Sequence, residues 1–152
     1  MGASEAELID DLNRLMAEEA EASMRYFQMR FRLRGRGRET AEKFFAEAIK
    51  ETLEHAELIA KQIHALGHVP SLQINVSLDE GPMTPDDALA EALEVETAAL
   101  DAYQDFLPRV AGHATLEPFI RQQIAIETEH VQDIQDVLRA SGNLTLVVKP
   151  GA

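Results

Sequence analysis

Ile126-Glu127-Thr128-Glu129-His130 is the stretch from which the rest of the chain can be placed. A carboxylate and an imidazole three residues apart on a helix share one face, so Glu127 and His130 can reach a single cation inside a helix bundle. One Glu-x-x-His alone carries little weight, because acidic surface helices produce the pattern often. Its meaning depends on what the other segments bring beside it.

The two halves of the chain repeat. Phe44-Phe45, Ile49 and Glu54-His55 align without a gap on Phe119-Ile120, Ile124 and Glu129-His130, and Glu19 with Tyr26 matches Glu96 with Tyr103 at the same separation of seven. Apolar positions at helical spacing (Leu8, Leu12, Leu15, Met16, Met24, Phe27, Phe31) predict a first helix from Ser4 to about Arg34. Ser4 with Glu7 starts it as a capping box, and Gly35 and Gly37 stop it. A second helix is expected from about Thr40 to Leu66, with Phe44, Phe45, Ile49, Leu53, Ile59 and Ile63 on its buried side and Gly67 as its stop. Thr84-Pro85-Asp86-Asp87 opens a third helix ending near Leu107 or Val110, where Pro108 should kink or fray it. Thr115 is the expected cap of a fourth helix, which runs to about Ala140.

Each pair of helices is joined by a short turn and so forms an antiparallel hairpin. Between the hairpins, His68 to Met83 is not helical; Leu72, Ile74, Val76 and Leu78 alternate there with polar residues, as in a strand. Extended, it covers roughly 50 Å, enough to run back along the bundle. The fold class is therefore all-α: a four-helix bundle of two antiparallel hairpins joined by one long crossover. Residues 1–142 form the bundle, and 143–152, with β-prone Leu144 to Val148, form a C-terminal tail.

The bulk properties narrow the chemistry. With no cysteine, any metal must be held by carboxylate and imidazole, which favours iron, manganese or zinc. A formal charge of -13, from 27 acidic against 14 basic residues, disfavours nucleic acid as a partner. No leader pattern and no membrane-length apolar run is present, which points to a cytoplasmic protein away from the membrane. Arg30, Arg32, Arg34, Arg36 and Arg38 alternate at the first turn; a solvated turn offsetting acidic neighbours accounts for them better than a phosphate contact.

Helix arithmetic tests whether the acids meet. Glu19 lies about fifteen residues before the first turn and Thr52 to His55 about twelve to fifteen after the second helix begins; Glu96 and Glu127 to His130 stand in the same relation in the second half. All four helices thus present polar residues at one height in an apolar core. Buried carboxylates need partners, and one or two cations would supply them.

On these residues the chain resembles the ferritin-like superfamily, in particular bacterioferritins and rubrerythrin-type di-iron domains, from about Glu5 to Leu138. The resemblance implies Glu19 and Glu96 as terminal ligands, Glu127 as a bridging carboxylate, His55 and His130 as terminal imidazoles, and Tyr26 and Tyr103 as hydrogen-bond donors behind them. It implies two iron ions per bundle, with manganese or zinc as alternatives, and oxidation of ferrous iron by dioxygen or peroxide.

The departure is Thr52, which stands where the family has its second bridging Glu. Neighbouring Glu51 could enter as the missing ligand, or could orient His130 from outside, or one metal could be lost; the sequence leaves ferroxidase activity open. Leu53 replaces the haem-ligating Met of bacterioferritins, so haem is not implied. Only about ten β-prone residues follow the fourth helix, in place of the short fifth helix of the family's large storage cages, so the resemblance implies a homodimer rather than such a cage. The competing expectation is a non-catalytic ferritin-like dimer with a degenerate or single-metal site, serving as a structural or interaction protein.

Overall fold

A computed structural model describes residues 2–141. Helix α1 spans Glu5–Arg32, α2 Arg38–Ala65, α3 Pro85–Phe106 and α4 Leu116–Ser141. The tail from 143, including its β-prone stretch, lies outside the described residues.

Local chemistry sets the helix ends. Ser4 accepts from the backbone N–H of Glu7 at 3.2 Å while Glu7 accepts from that of Ser4 at 3.0 Å, the reciprocal box that satisfies two orphan donors. Thr84 accepts from the N–H of Asp87 at 3.1 Å, with Pro85 in the first turn. Gly35 and Gly37 turn the first hairpin at φ 95° and 87°, a region costly for any side chain. Pro108 cannot donate to the α-helical ladder, and the end of α3 tightens into a 3-10 turn over Leu107–Val110.

Thr115 stands at the expected cap position, directly before Leu116, with its carbonyl accepting from the N–H of Phe119 at 3.3 Å, but its hydroxyl turns elsewhere. Pro118 has no N–H to donate to a hydroxyl at that cap, and Thr115 Oγ1 instead lies 3.4 Å from the ring of His113. The His113 ring accepts from the N–H of Leu116 at 3.2 Å, and Glu117 reaches back to the N–H of Gly112 at 3.0 Å.

The crossover forms no strand, despite its alternating pattern. Among the described residues no strand lies beside it, and the isolated parallel bridge between Leu33 and Met83 is its only ladder contact. Its backbone bonds to the side of α1 instead. Asn13 accepts from Ser71 N–H, Glu21 accepts from Asn75 N–H, Gln28 donates to Asp79 O and Arg32 donates to Gly81 O. The alternation records which side chains lie over the bundle: Ile74 and Val76 are half-buried while Leu72 and Leu78 remain exposed.

Four of the five arginines at the first turn are engaged locally. Arg30 and Arg38 pair with Glu42 at 3.6 and 3.0 Å, Arg32 holds the crossover, and Arg34 donates to the carbonyls of Phe31 and Leu33.

The core comes in two parts. One apolar cluster, including Leu12, Met16, Ile59, Ile63, Phe106, Leu116 and Ile120, fills the end near the start of α1. A second, including Met29, Leu33, Phe45, Leu89, Leu93, Ile134 and Leu138, fills the other end. Each fully buried Leu, Ile or Phe contributes about 1.5–3 kcal/mol. Leu53 is not part of either cluster; at 57 % exposure it corrects the expectation that it is buried. The core stripe of α2 runs through Ala48, Thr52, His55, Ala56 and Ile59, and the 100° step per residue carries Leu53 off it.

Candidate metal centre

Between the two apolar clusters lies a polar layer. Every helix crosses it once, and Glu19, Thr52, His55, Glu96, Gln123 and Glu127 are buried there. The common height expected from helix rise is therefore present in the folded chain.

Five of the six expected ligand residues meet. Glu19, His55 and Glu127 form one group, and Glu96, Glu127 and His130 form another; within each group, one ligand atom from every residue lies within 4.8 Å of the other two. Glu127 belongs to both. Its Oε1 is 3.0 Å from His55 Nδ1 and its Oε2 is 3.6 Å from His130 Nδ1, while Glu19 lies 3.6 Å from His55 and Glu96 3.8 Å from His130. The two imidazoles stack, with centroids 5.6 Å apart and planes 11° from parallel.

Glu51 stands outside both groups. Its Oε2 sits 3.3 Å from His130 Nε2, the ring nitrogen on the far side from Glu96 and Glu127. Thr52 is buried, but its hydroxyl donates to the carbonyls of Ala48 and Ile49 at 2.7 and 3.2 Å and so is committed to its own helix.

The tyrosines cross between the hairpins. Tyr26 donates to Glu96 at 3.0 Å and Tyr103 donates to Glu19 at 2.8 Å, each reaching the acid of the other half. The sequence repeat is thus a geometric exchange. Burial first, then the facing carboxylate, holds both phenols well above their usual range, so they remain donors.

The acids and imidazoles titrate against one another. Burial lifts Glu96 to about 7, opposed by His130. Burial also works against the charge on Glu127, but contacts with His130 and His55 outweigh it and hold that carboxyl below its ordinary range. Burial lowers His55, yet Glu127 and Glu19 prevail and raise it to about 10; His130 reaches about 10 chiefly through Glu127 and Glu96. In the metal-free protein, protonated imidazoles supply the positive charge these acids need.

The residues present fit a cation better than they fit one another. His55 Nδ1 and both oxygens of Glu127 are buried without a hydrogen-bond partner, because proximity there is not matched by N–H alignment. A divalent ion, which needs no such alignment, would satisfy all three.

Gln123 was not singled out by its sequence context. It is buried one turn before Glu127, and its amide nitrogen also lacks a partner. The signal was available: Ile120, Gln123, Glu127, Ile134 and Leu138 follow a single core stripe in which Gln is out of place.

The family model of the ferritin-like domain matches residues 9–142. The chain belongs to the ferritin-like family. Its fold matches a structure from Bacillus anthracis str. Ames, described as one of the ferritin like, diiron-carboxylate proteins, at TM-score 0.76 and 26 % identity over 90 % of this chain and 99 % of that one. A dodecameric thioferritin from Bacteroides fragilis, described as a bacterioferritin-related protein, gives TM-score 0.79 and 28 % identity over 92 % and 89 %. Antigen TpF1 from Treponema pallidum shares the fold at TM-score 0.80, with 14 % identity over 88 % and 92 %. No curated protein matches the chain. Among the described residues, no helix of this ferritin-like chain is long and apolar enough to cross a membrane.

Proposed function

We propose that this ferritin-like chain binds a pair of metal ions, iron above all, and oxidises ferrous iron with dioxygen or peroxide. The observation that carries the reading is the double membership of Glu127, the one carboxylate common to both three-residue groups. On this reading Glu19, His55 and Glu127 would hold one ion, and Glu96, His130 and Glu127 the other. Bound there, iron supplies the electrons for reducing the oxidant. The description of the B. anthracis relative as a diiron-carboxylate protein supports iron over manganese or zinc.

The chain's own residues then have separate tasks. Tyr26 and Tyr103 fix the outer oxygens of Glu96 and Glu19, leaving the other oxygens for metal. Glu51 Oε2, 3.3 Å from His130 Nε2, faces that edge of the ring and leaves Nδ1 as the ligand atom. The apolar clusters above and below close the two ends of the layer.

A homo-oligomer, at minimum a dimer, belongs to the same proposal. Met24, Phe27, Phe31 and Leu53 on α1 and α2 are 40 %, 54 %, 58 % and 57 % exposed, apolar surface that a second copy would cover. The B. fragilis relative is dodecameric.

The second reading, a single-metal or non-catalytic bundle, rests on Thr52, whose hydroxyl is turned away from the layer. Anaerobic ferrous iron titration followed by exposure to air separates the two. Saturation at two ions per chain with subsequent oxidation supports the proposal; saturation at one without turnover supports the alternative.

A further inference from the structure

Gln123 breaks the symmetry of the polar layer. The gapless repeat that sets Phe45 against Ile120 and Thr52 against Glu127 also sets Ala48 against Gln123. Ala48 packs in the apolar cluster that holds Tyr26, whereas Gln123, 1 % exposed and one turn before Glu127, is buried with an amide nitrogen that has no partner. A leucine there would complete the α4 stripe of Ile120, Ile134 and Leu138 and leave no buried donor unsatisfied. A donor kept against stability points to a use that the metal-free fold does not show.

That use lies at Tyr103. The Tyr103 hydroxyl donates to Glu19 Oε1 at 2.8 Å while Glu19 Oε2 faces His55 Nδ1 at 3.6 Å, so one oxygen of Glu19 belongs to the phenol and the other to the metal position. With its proton given to Glu19, the phenol oxygen is left as an acceptor. Burial and then Glu19 hold the phenol high, and the amide of Gln123 works against them, as a donor to that oxygen does. The mirror half has no third member. Tyr26 donates to Glu96 at 3.0 Å but shares the bond with the Ala92 carbonyl at 3.5 Å, and Ala48 has no side-chain donor to set behind it.

We propose that Gln123 is a positioning residue for one metal position and not the other: when Glu19 takes an ion, the amide aligns on the Tyr103 oxygen and closes a chain from Gln123 through Tyr103 to Glu19. Without metal the amide is unaligned, as hydrogen bonds in empty sites often are. The closed chain strengthens the bond from Tyr103, fixes Glu19 Oε1 and makes the Glu19–His55 position tighter than its Glu96–His130 mirror. The inference rests on the metal-binding reading above.

The test is a stepwise titration of the full chain with Co(II) against a coloured chelator, with the visible bands of the bound ion recorded at each step. Gln123→Met keeps the length of the side chain and removes the donor. It should weaken one of the two ions by about tenfold, the low end of the effect of losing a group that orients a ligand, and shift the bands of that ion alone. The loss should vanish when Gln123→Met is combined with Tyr103→Phe, which has no phenol oxygen to receive the amide, and with Glu19→Ala, which on the same reading keeps only the other position. Metal-free Gln123→Met should melt no lower than the unsubstituted chain, which separates the loss of affinity from damage to the fold. Both ions weakened alike, affinities unchanged, or a loss that persists in Tyr103→Phe would overturn the inference while leaving the metal site standing. No Co(II) bound by the unsubstituted chain would overturn the metal-binding reading as well.

Discussion

Glu51 Oε2 lies 3.3 Å from His130 Nε2, on the opposite edge of the ring from the Nδ1 that faces Glu96 and Glu127. The relationship separates two roles that adjacent residues on α2 could exchange. Replacing Glu51 with Ala should leave the number of ions bound unchanged and weaken affinity by about 10–100-fold, the usual effect of losing a group that orients a ligand. Metal analysis after equilibrium dialysis is the check. A fall of one ion per chain would make Glu51 a ligand.

Glu127 should behave differently from Glu19. Because it belongs to both groups, Glu127→Ala should abolish binding of both ions, whereas Glu19→Ala should remove only the one shared with His55. Competitive titration against a coloured chelator would count the ions; equal stoichiometries in the two variants would contradict the bridging assignment.

The charges of the layer predict how the metal-free protein responds to pH. His55 and His130 are raised from 6.5 to about 10, so the stability they contribute is complete below pH 6.5 and lost as pH rises through about 10. Glu96, raised from 4.5 to about 7, acts in the same sense at lower pH. Glu127 is lowered, so its contribution is lost in acid instead. Thermal melts in the presence of chelator should therefore show a falling Tm from pH 6.5 to 10. The gain on adding metal should grow over the same interval, since metal displaces the imidazole protons. A Tm that climbs with pH in the absence of metal would refute this account.

Gln123 offers a test of the unsatisfied amide. With no partner for its nitrogen, Gln123 incurs a desolvation cost of about 1–3 kcal/mol, and Gln123→Leu should be neutral to stabilising in denaturant melts. A loss of stability would mean that the amide is engaged, with Tyr103 as the neighbour to examine.

Tyr103→Phe removes the phenol that donates to Glu19 inside the bundle. The cost should be about 1–3 kcal/mol, because a buried carboxylate oxygen loses its donor. Tyr26→Phe should cost less, since its hydroxyl also spends part of its bond on the Ala92 carbonyl at 3.5 Å. Chemical denaturation of the two metal-free variants in parallel measures the difference.

Much of this was legible from residue spacing. Helix rise is constant, so counting from Gly35 or Gly112 was enough to bring Glu19, His55, Glu96, Glu127 and His130 to one height. What spacing could not show is where flexible or shared groups go. Glu51 and Thr52 are adjacent, and only the folded chain sends one carboxylate to the outer edge of His130 and the neighbouring hydroxyl to its own backbone. The crossover alternates as a strand would, but a strand needs a partner edge, and here α1 takes that place with side chains. Thr115 had the identity of a cap, while Pro118 removed the N–H it would have served.

The division of the core into two apolar clusters has a consequence for how the molecule holds together. Hydrophobic burial secures the rods at their ends and leaves the waist to electrostatics, so strength and chemistry occupy different storeys of the same building. Substitutions in the waist can alter reactivity while both ends stay packed. A cation placed there would act as a rivet through all four rods, turning two small cores into one mechanical unit.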